Sequence, residues 1–180
     1  SECLLRAAEM LSAKIAARQK PELATALGHL GYSAEEAQEI LAEMAQVLTR
    51  QALQEKLQRE LGSLEPSQFR RISYAEPILE SWRPLGVLVH IAPANAPAVP
   101  ALSVLEGLLT GNVNIMKDSP RNGEFSMAFL KALSDEDESG VLKEHSYVLS
   151  IASSEEALLD RILQEADGVA VWGGEEALAS

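Results

Sequence analysis

The sequence predicts an α/β fold in which helices wrap a mostly parallel sheet, preceded by an α-helical N-terminal region. Three observations predict it. Residues 85–92, L-G-V-L-V-H-I-A, are apolar except for Gly86 and His90 and rich in β-branched side chains. Such a run suits a strand covered on both faces of a parallel sheet. Beyond it, short apolar runs alternate with stretches of helical periodicity, the order that crossover connections require. Before it, residues 1–62 carry apolar side chains at helical spacing alone. The predicted organisation is a helical region over 1–62, a linker over 63–82 and a partial α/β domain over 83–180.

The elements follow in order. A first helix spans about residues 2–19 and stops before Pro21. A second, short one runs from Pro21, tolerated at a first helical position, to a stop at Gly31. Ser33 and Glu36 form a capping box that opens a third helix. That helix carries Ile40, Leu41, Met44, Val47 and Leu48 on one stripe and continues or kinks through Leu53, Leu57 and Leu61 to Gly62. These helices are expected to pack against the sheet or a partner subunit, so a homo-oligomer stays open. In the linker, Pro66 and Pro77 flank a short edge strand at residues 72–75. After the strand at 85–92, the two prolines of P-A-N-A-P break the ladder. A helix over 98–110 follows, closed by Gly111-Asn112 as a left-handed cap, and then a strand from Val113 to Lys117. A further helix turns Phe125, Phe129, Leu130 and Leu133 inward. The acidic stretch S-D-E-D-E-S-G at 134–140 reads as a solvated loop; its spacing lacks the pattern of a hard-cation site. The next strand covers 147–151, and Ser153 with Glu156 forms a second capping box before a helix bearing Leu158, Leu159, Ile162 and Leu163. A strand at 168–172 ends in Gly173-Gly174, and a helix starts at Glu175.

Bulk properties exclude several functions. A formal charge of −12 and a pI near 4.7 repel phosphate backbones, and 4% aromatic residues leave no base-stacking platform. No nucleic-acid partner is expected. Nor is a membrane one, since no apolar run approaches the roughly 18 residues of a spanning helix. Cys3 is the single cysteine, which excludes an internal disulfide, and no metal-ligand motif occurs. A reducing, cytoplasmic setting is the expectation. Ser1 leads straight into a helical pattern and residues 175–180 read as an interrupted helix, so the chain is expected to be the N-terminal portion of a longer polypeptide.

The candidate functional residues sit at strand ends, because ligands of open α/β sheets bind beyond the carboxyl ends of the strands. Asn95 is placed either to donate its amide to a developing oxyanion or to bond its own turn. Lys117 is either a ligand for ribose hydroxyls or phosphate, or a solvated lysine. Gly173-Gly174 is a side-chain-free turn at a helix start, which attracts phosphate but is also an ordinary tight turn. No G-x-G-x-x-G fingerprint is present. His90 reads as a packed, hydrogen-bonded core histidine, and Cys3 as a partly buried apolar residue.

Three motifs in order, P-L-G-V-L-V-H-I-A-P-A-N-A-P, G-N-V-N-I-M-K-D-S-P and D-G-V-A-V-W-G-G, resemble the aldehyde dehydrogenase superfamily. Within it they are most similar to the acyl-CoA reductase branch, the LuxC-like fatty acyl reductases, over about residues 83–177. The resemblance implies an aldehyde-dehydrogenase-like nucleotide-binding domain, here partial. It implies that Asn95 is the oxyanion-stabilising asparagine and that Ala92, Pro93 and Ala94 line the nicotinamide end of the cofactor. It further implies that Lys117 bonds the adenosine ribose and that Gly173 and Gly174 lie under the pyrophosphate. The implied reaction reduces an acyl-CoA thioester to an aldehyde through an acyl-cysteine enzyme, with NADPH or NADH as hydride donor. Two departures carry consequences. Pro120 stands where NAD-preferring members have an acidic residue, and Arg121 is available to pair with a 2′-phosphate, which favours NADP(H). The family's nucleophilic cysteine lies downstream of the Gly-Gly turn, so this segment alone is expected to show no turnover. Rival readings are an aldehyde dehydrogenase that oxidises aldehydes, and a non-catalytic interaction or structural fragment.

Overall fold

A computed structural model describes residues 2–92, 96–118, 124–152 and 154–172. Four helices lead the chain. The first, α1 (Glu2–Ala16), buries Leu4, Leu5, Ala7, Ala8, Leu11 and Ile15. The second, α2 (Pro21–His29), starts on its proline. The third, α3 (Ala34–Val47), opens with the predicted capping box. The Glu36 amide donates to Ser33 Oγ at 3.2 Å, and the Ser33 amide donates to the Glu36 carboxylate at 2.8 Å. This helix does not run on. Thr49 is extended, and its hydroxyl accepts from the Ala52 amide at 3.3 Å to cap a new helix, α4 (Arg50–Leu61). The break turns Val47 outward and Leu48 inward. Gly62 closes α4 with a left-handed φ of 65°.

The linker forms a small antiparallel hairpin, β1 (Arg70–Arg71) with β2 (Leu79–Glu80). The strand expected at 72–75 is instead the bend between them. The Ala75 amide donates to Ser73 Oγ at 3.1 Å, a local turn that competes with extended pairing.

The main sheet holds β3 (Val87–Ile91), β4 (Val113–Asp118), β5 (Ser146–Ser150) and β6 (Gly168–Val171), all parallel, in the order β5-β4-β3-β6. Between them lie α5 (Ala98–Leu109), α6 (Phe125–Asp135), a short α7 (Val141–His145) that the sequence did not suggest, and α8 (Glu156–Gln164). Two connections step one way along the sheet and the third returns across it. Right-handed crossovers therefore put α5 and α6 on one face and α8 on the other.

The two faces differ. Under α5 and α6, His90, Asn114 and Met116 are buried. On the opposite face Val89 is buried, but Tyr147, Leu149, Val169 and Val171 are exposed and α8 buries no residue. The strand at 87–91 is thus less covered on this second side than its composition suggests, with Val87 and Ile91 half-buried. The helix α8 starts two residues later than the Ser153 box predicts. Ser153, the cap of the expected box, lies outside the described residues, and Glu155 accepts from the Ala152 amide at 3.0 Å.

One apolar core runs from Leu4 through α5 and α6 to Leu142. The leading helices rest on α6 rather than on the sheet, forming a further layer. The acidic stretch at 134–140 helps to fix them. Glu136, expected in solvent, is 6% exposed and accepts from Lys14 Nζ at 2.6 Å and Lys20 Nζ at 3.1 Å. Burial alone would raise its pKa, but the two ammonium groups outweigh it and hold the carboxyl below its ordinary value. Asp137 accepts the Leu142 amide at 2.9 Å and so starts α7. No helix among the described residues is long and apolar enough to cross a membrane.

Candidate active site

Strand register decides where the candidate residues can meet. Ile91 pairs with Lys117 on one side and Val171 on the other, and Lys117 pairs with Leu149. The carboxyl ends of β3, β4 and β6 are therefore level and adjacent on one sheet edge. The Trp172 amide extends this pairing by donating to Ile91 O at 2.9 Å. The segments that lead to residues 93–95, 119–123 and 173–174 all depart from this edge. Of the residues assigned to the cofactor and the oxyanion from the sequence, Ala92 and Lys117 are described and both are buried. Pro93, Ala94, Asn95, Arg121, Gly173 and Gly174 lie outside the described residues, as do Pro120 and the expected helix at Glu175.

Lys117 is not the solvated lysine of one reading. It is 7% exposed, and it forms no ion pair among the described residues. A buried ammonium is costly without polar partners, and this one sits at the end of β4 where a ligand of the sheet edge would lie.

The amino ends of the strands are held by side chains that sequence reasoning passed over. Asn112, read only as part of a helix cap, accepts from the Leu85 and Gly86 amides at 2.7 and 3.1 Å. Asp167 accepts from the Val87 amide at 2.8 Å. Gly86 has φ +125°, and a Cβ there would overlap the Asp167 carboxylate, so both backbone and space require glycine.

Beneath the edge lies a buried polar chain. His90 Nδ1 is 2.7 Å from Ser103 Oγ and its Nε2 is 2.9 Å from Asn114 Oδ1. Trp172 Nε1 donates to Ser103 Oγ at 2.9 Å. Burial holds the imidazole below its ordinary pKa, against the Asn114 bond and the charge of Glu106. His90 is thus the packed, hydrogen-bonded histidine the sequence suggested. A Cβ at Gly107 would overlap Asn114 Oδ1 and come within 3.3 Å of His90 Nε2, which explains a glycine inside α5. Ser103, a lone hydroxyl in the apolar run A-V-P-A-L-S-V-L, was the available signal of this chain.

An apolar groove of about 290 Å³ lies next to Ala96, Pro97 and Ala98, the first described residues after Asn95. Its far wall is α3, through Ile40, Met44 and Val47, with Tyr32 and Leu102 completing it and Glu43 at its side. The helical region thus packs against the rest of the chain and, with the start of α5, shapes a concave surface. Cys3, on α1, is partly buried and free.

A parallel sheet with this order and a helical layer in front is the fold of aldehyde dehydrogenases. The NAD-dependent aldehyde dehydrogenase from Sinorhizobium meliloti superposes with a TM-score of 0.70 at 20% identity, covering 97% of this chain and 33% of that one. The family model for acyl-CoA reductase (LuxC) matches residues 2–180, and the chain belongs to that family. The long-chain acyl-protein thioester reductase of Aliivibrio fischeri is 28% identical over 162 residues, 83% of this chain and 31% of the relative. That of Photorhabdus luminescens is 33% identical over 96 residues, 53% of this chain and 20% of the relative. The chain thus spans about a third or less of the length of the curated relatives it matches.

Proposed function

We propose that the full-length protein reduces an acyl thioester to an aldehyde with a nicotinamide cofactor, and that this segment supplies the cofactor edge and one oxyanion donor. The observation that carries the reading is Lys117: a buried ammonium, without a carboxylate partner among the described residues, at the carboxyl end of a parallel strand. That site fits a cofactor bearing hydroxyls or phosphate. Lys117 would hold the ribose, Ala92, Pro93 and Ala94 would line the nicotinamide end, and Gly173 and Gly174 would lie under the pyrophosphate. The bound nicotinamide supplies a hydride, so that thioester, NAD(P)H and a proton become aldehyde, thiol and NAD(P)+. The Asn95 amide would donate to the oxygen of the acyl carbon as negative charge develops on it. Pro120 leaves no acidic residue at that position to repel a 2′-phosphate, and Arg121 would pair with it, which favours NADPH over NADH. The groove between α3 and α5 offers an apolar surface for the acyl chain, and the relatives' description as long-chain reductases agrees with that lining.

Steady-state assay of the full-length protein with a long-chain acyl-CoA and NADPH tests the proposal. Asn95→Ala is expected to lower kcat by about 10²–10³-fold while the KM for NADPH changes little. Thioester reduction undiminished in the variant would remove Asn95 from the chemistry. Aldehyde oxidation far exceeding thioester reduction in the unmodified protein would favour the oxidative rival instead.

A further inference from the structure

We propose that the arm formed by residues 62–86 docks against the same arm of a second copy of this chain, making a two-fold symmetric dimer. No residue of this arm is buried. Phe69, Ile72, Tyr74, Leu79, Trp82 and Leu85 each leave half or more of their surface in solvent, and Tyr74 leaves 94%. The backbone beneath them is nonetheless fixed. Arg70 stands opposite Glu80 and Arg71 opposite Leu79 in the β1–β2 ladder. The Trp82 amide donates to Pro66 O at 2.8 Å, and its indole N–H donates to Leu61 O at 3.1 Å. Arg70 Nη1 donates to Gly62 O at 2.6 Å. A two-stranded hairpin without a buried face is marginal in water, so this one is expected to gain its cover from a partner. The six apolar side chains expose about 100 Å² or more each, and with the arginines among them they approach the roughly 800 Å² that each partner brings to a stable interface. Aromatic side chains and arginine are also the types enriched at such surfaces.

Charge selects a second copy as that partner. The chain as a whole carries −12, which opposes self-association. The arm is the exception. It holds three arginines, Arg70, Arg71 and Arg83, and three glutamates, Glu65, Glu76 and Glu80, with no lysine or aspartate, so the entire excess of negative charge lies outside it. None of the six forms an ion pair among the described residues. Arg71 instead lies over the Tyr74 ring, 5.9 Å from its centroid. In a two-fold interface a surface meets itself and must be its own complement. Equal numbers of arginines and glutamates without ion-pair partners, set among apolar side chains, meet that condition. The exposed apolar face at Tyr147, Leu149, Val169 and Val171 does not. Beside it α8 carries Glu156 and Asp160 against Arg161, with Glu155 and Glu165 at its ends, so two copies repel each other there.

Sedimentation of the full-length protein over a concentration series tests the proposal. The unmodified protein is expected to dimerise. Tyr74→Ser should raise the dimer Kd about tenfold or more, as for an aromatic anchor of an interface, and leave the far-ultraviolet circular dichroism unchanged. Two double variants test the charge argument. Arg71→Glu with Arg83→Glu makes the arm strongly negative, and Glu76→Arg with Glu80→Arg makes it strongly positive. Each should be monomeric alone, and an equimolar mixture of the two should dimerise again. A monomeric unmodified protein overturns the proposal and means that other chain covers the arm. A dimer Kd unchanged by Tyr74→Ser overturns it by placing the interface elsewhere, and a mixture that stays monomeric overturns it by removing the self-complementarity. Should the double variants fail to fold, Tyr74→Ser decides alone.

Discussion

Two amphipathic helices, α6 and α8, have the same kind of sequence and opposite surroundings. In α6 the inward stripe of Phe125, Phe129, Leu130 and Leu133 is buried between the sheet and the leading helices. In α8 the stripe of Leu158, Leu159, Ile162 and Leu163 is as regular, yet no residue is buried and Leu158 is 43% exposed. The sheet repeats the contrast, since the face under α5 and α6 is closed while the face toward α8 shows Tyr147, Leu149, Val169 and Val171. Periodicity specifies that a helix will form and which way it will turn its apolar side. It does not specify what lies opposite, because that depends on chain distant in sequence.

The contrast is broken most easily by truncating each stripe. Phe129→Ala in this chain should cost about 3–5 kcal/mol in urea unfolding, the sum of lost burial and a cavity. Leu158→Ala should cost no more than about 0.5 kcal/mol, as for surface positions. Equal costs would mean that α8 is packed in solution as tightly as α6.

A smaller effect sharpens the contrast from the polar side. Glu136 secures the covered half through Lys14 and Lys20, and nothing comparable secures α8 among the described residues. Glu136→Ala should cost about 1–3 kcal/mol, less than a fully buried pair because Lys14 is partly in solvent. The carboxyl is held below its ordinary value of 4.5, so its contribution is present above that pH and is lost as pH falls through the folded-state value. Glu136→Gln should therefore flatten the acid limb of the stability profile without abolishing it, because Asp137 and Asp135 are also held below their ordinary values. An acid limb identical in slope to that of the unmodified chain would show that the cluster does not control acid stability.

The sequence disclosed β3, α5, β4, α6, β5, α8 and β6, though not α7, because apolar runs and turn residues are local signals. The Ser33 box and the Gly62 and Gly111 caps were legible for the same reason. The strand expected at 72–75 failed because a serine turn outcompeted β-branched propensity, and Glu136 was misread because its partners lie more than 110 positions upstream. At the candidate site, the strand ends were legible from punctuation. The burial of Lys117, the clasp of Asn112 and the link from Ser103 to Trp172 were not, since each depends on how neighbouring strands are registered.

The central claim is that the level carboxyl ends of β3, β4 and β6 hold a nicotinamide cofactor, with Lys117 as a direct contact. NADPH titration of the full-length protein beside its Lys117→Met variant tests it most directly. The account predicts saturable binding by the unmodified protein and a Kd raised about tenfold or more in the variant, as for loss of a hydrogen bond to a charged donor. No binding by the unmodified protein, or equal binding by both, would contradict it.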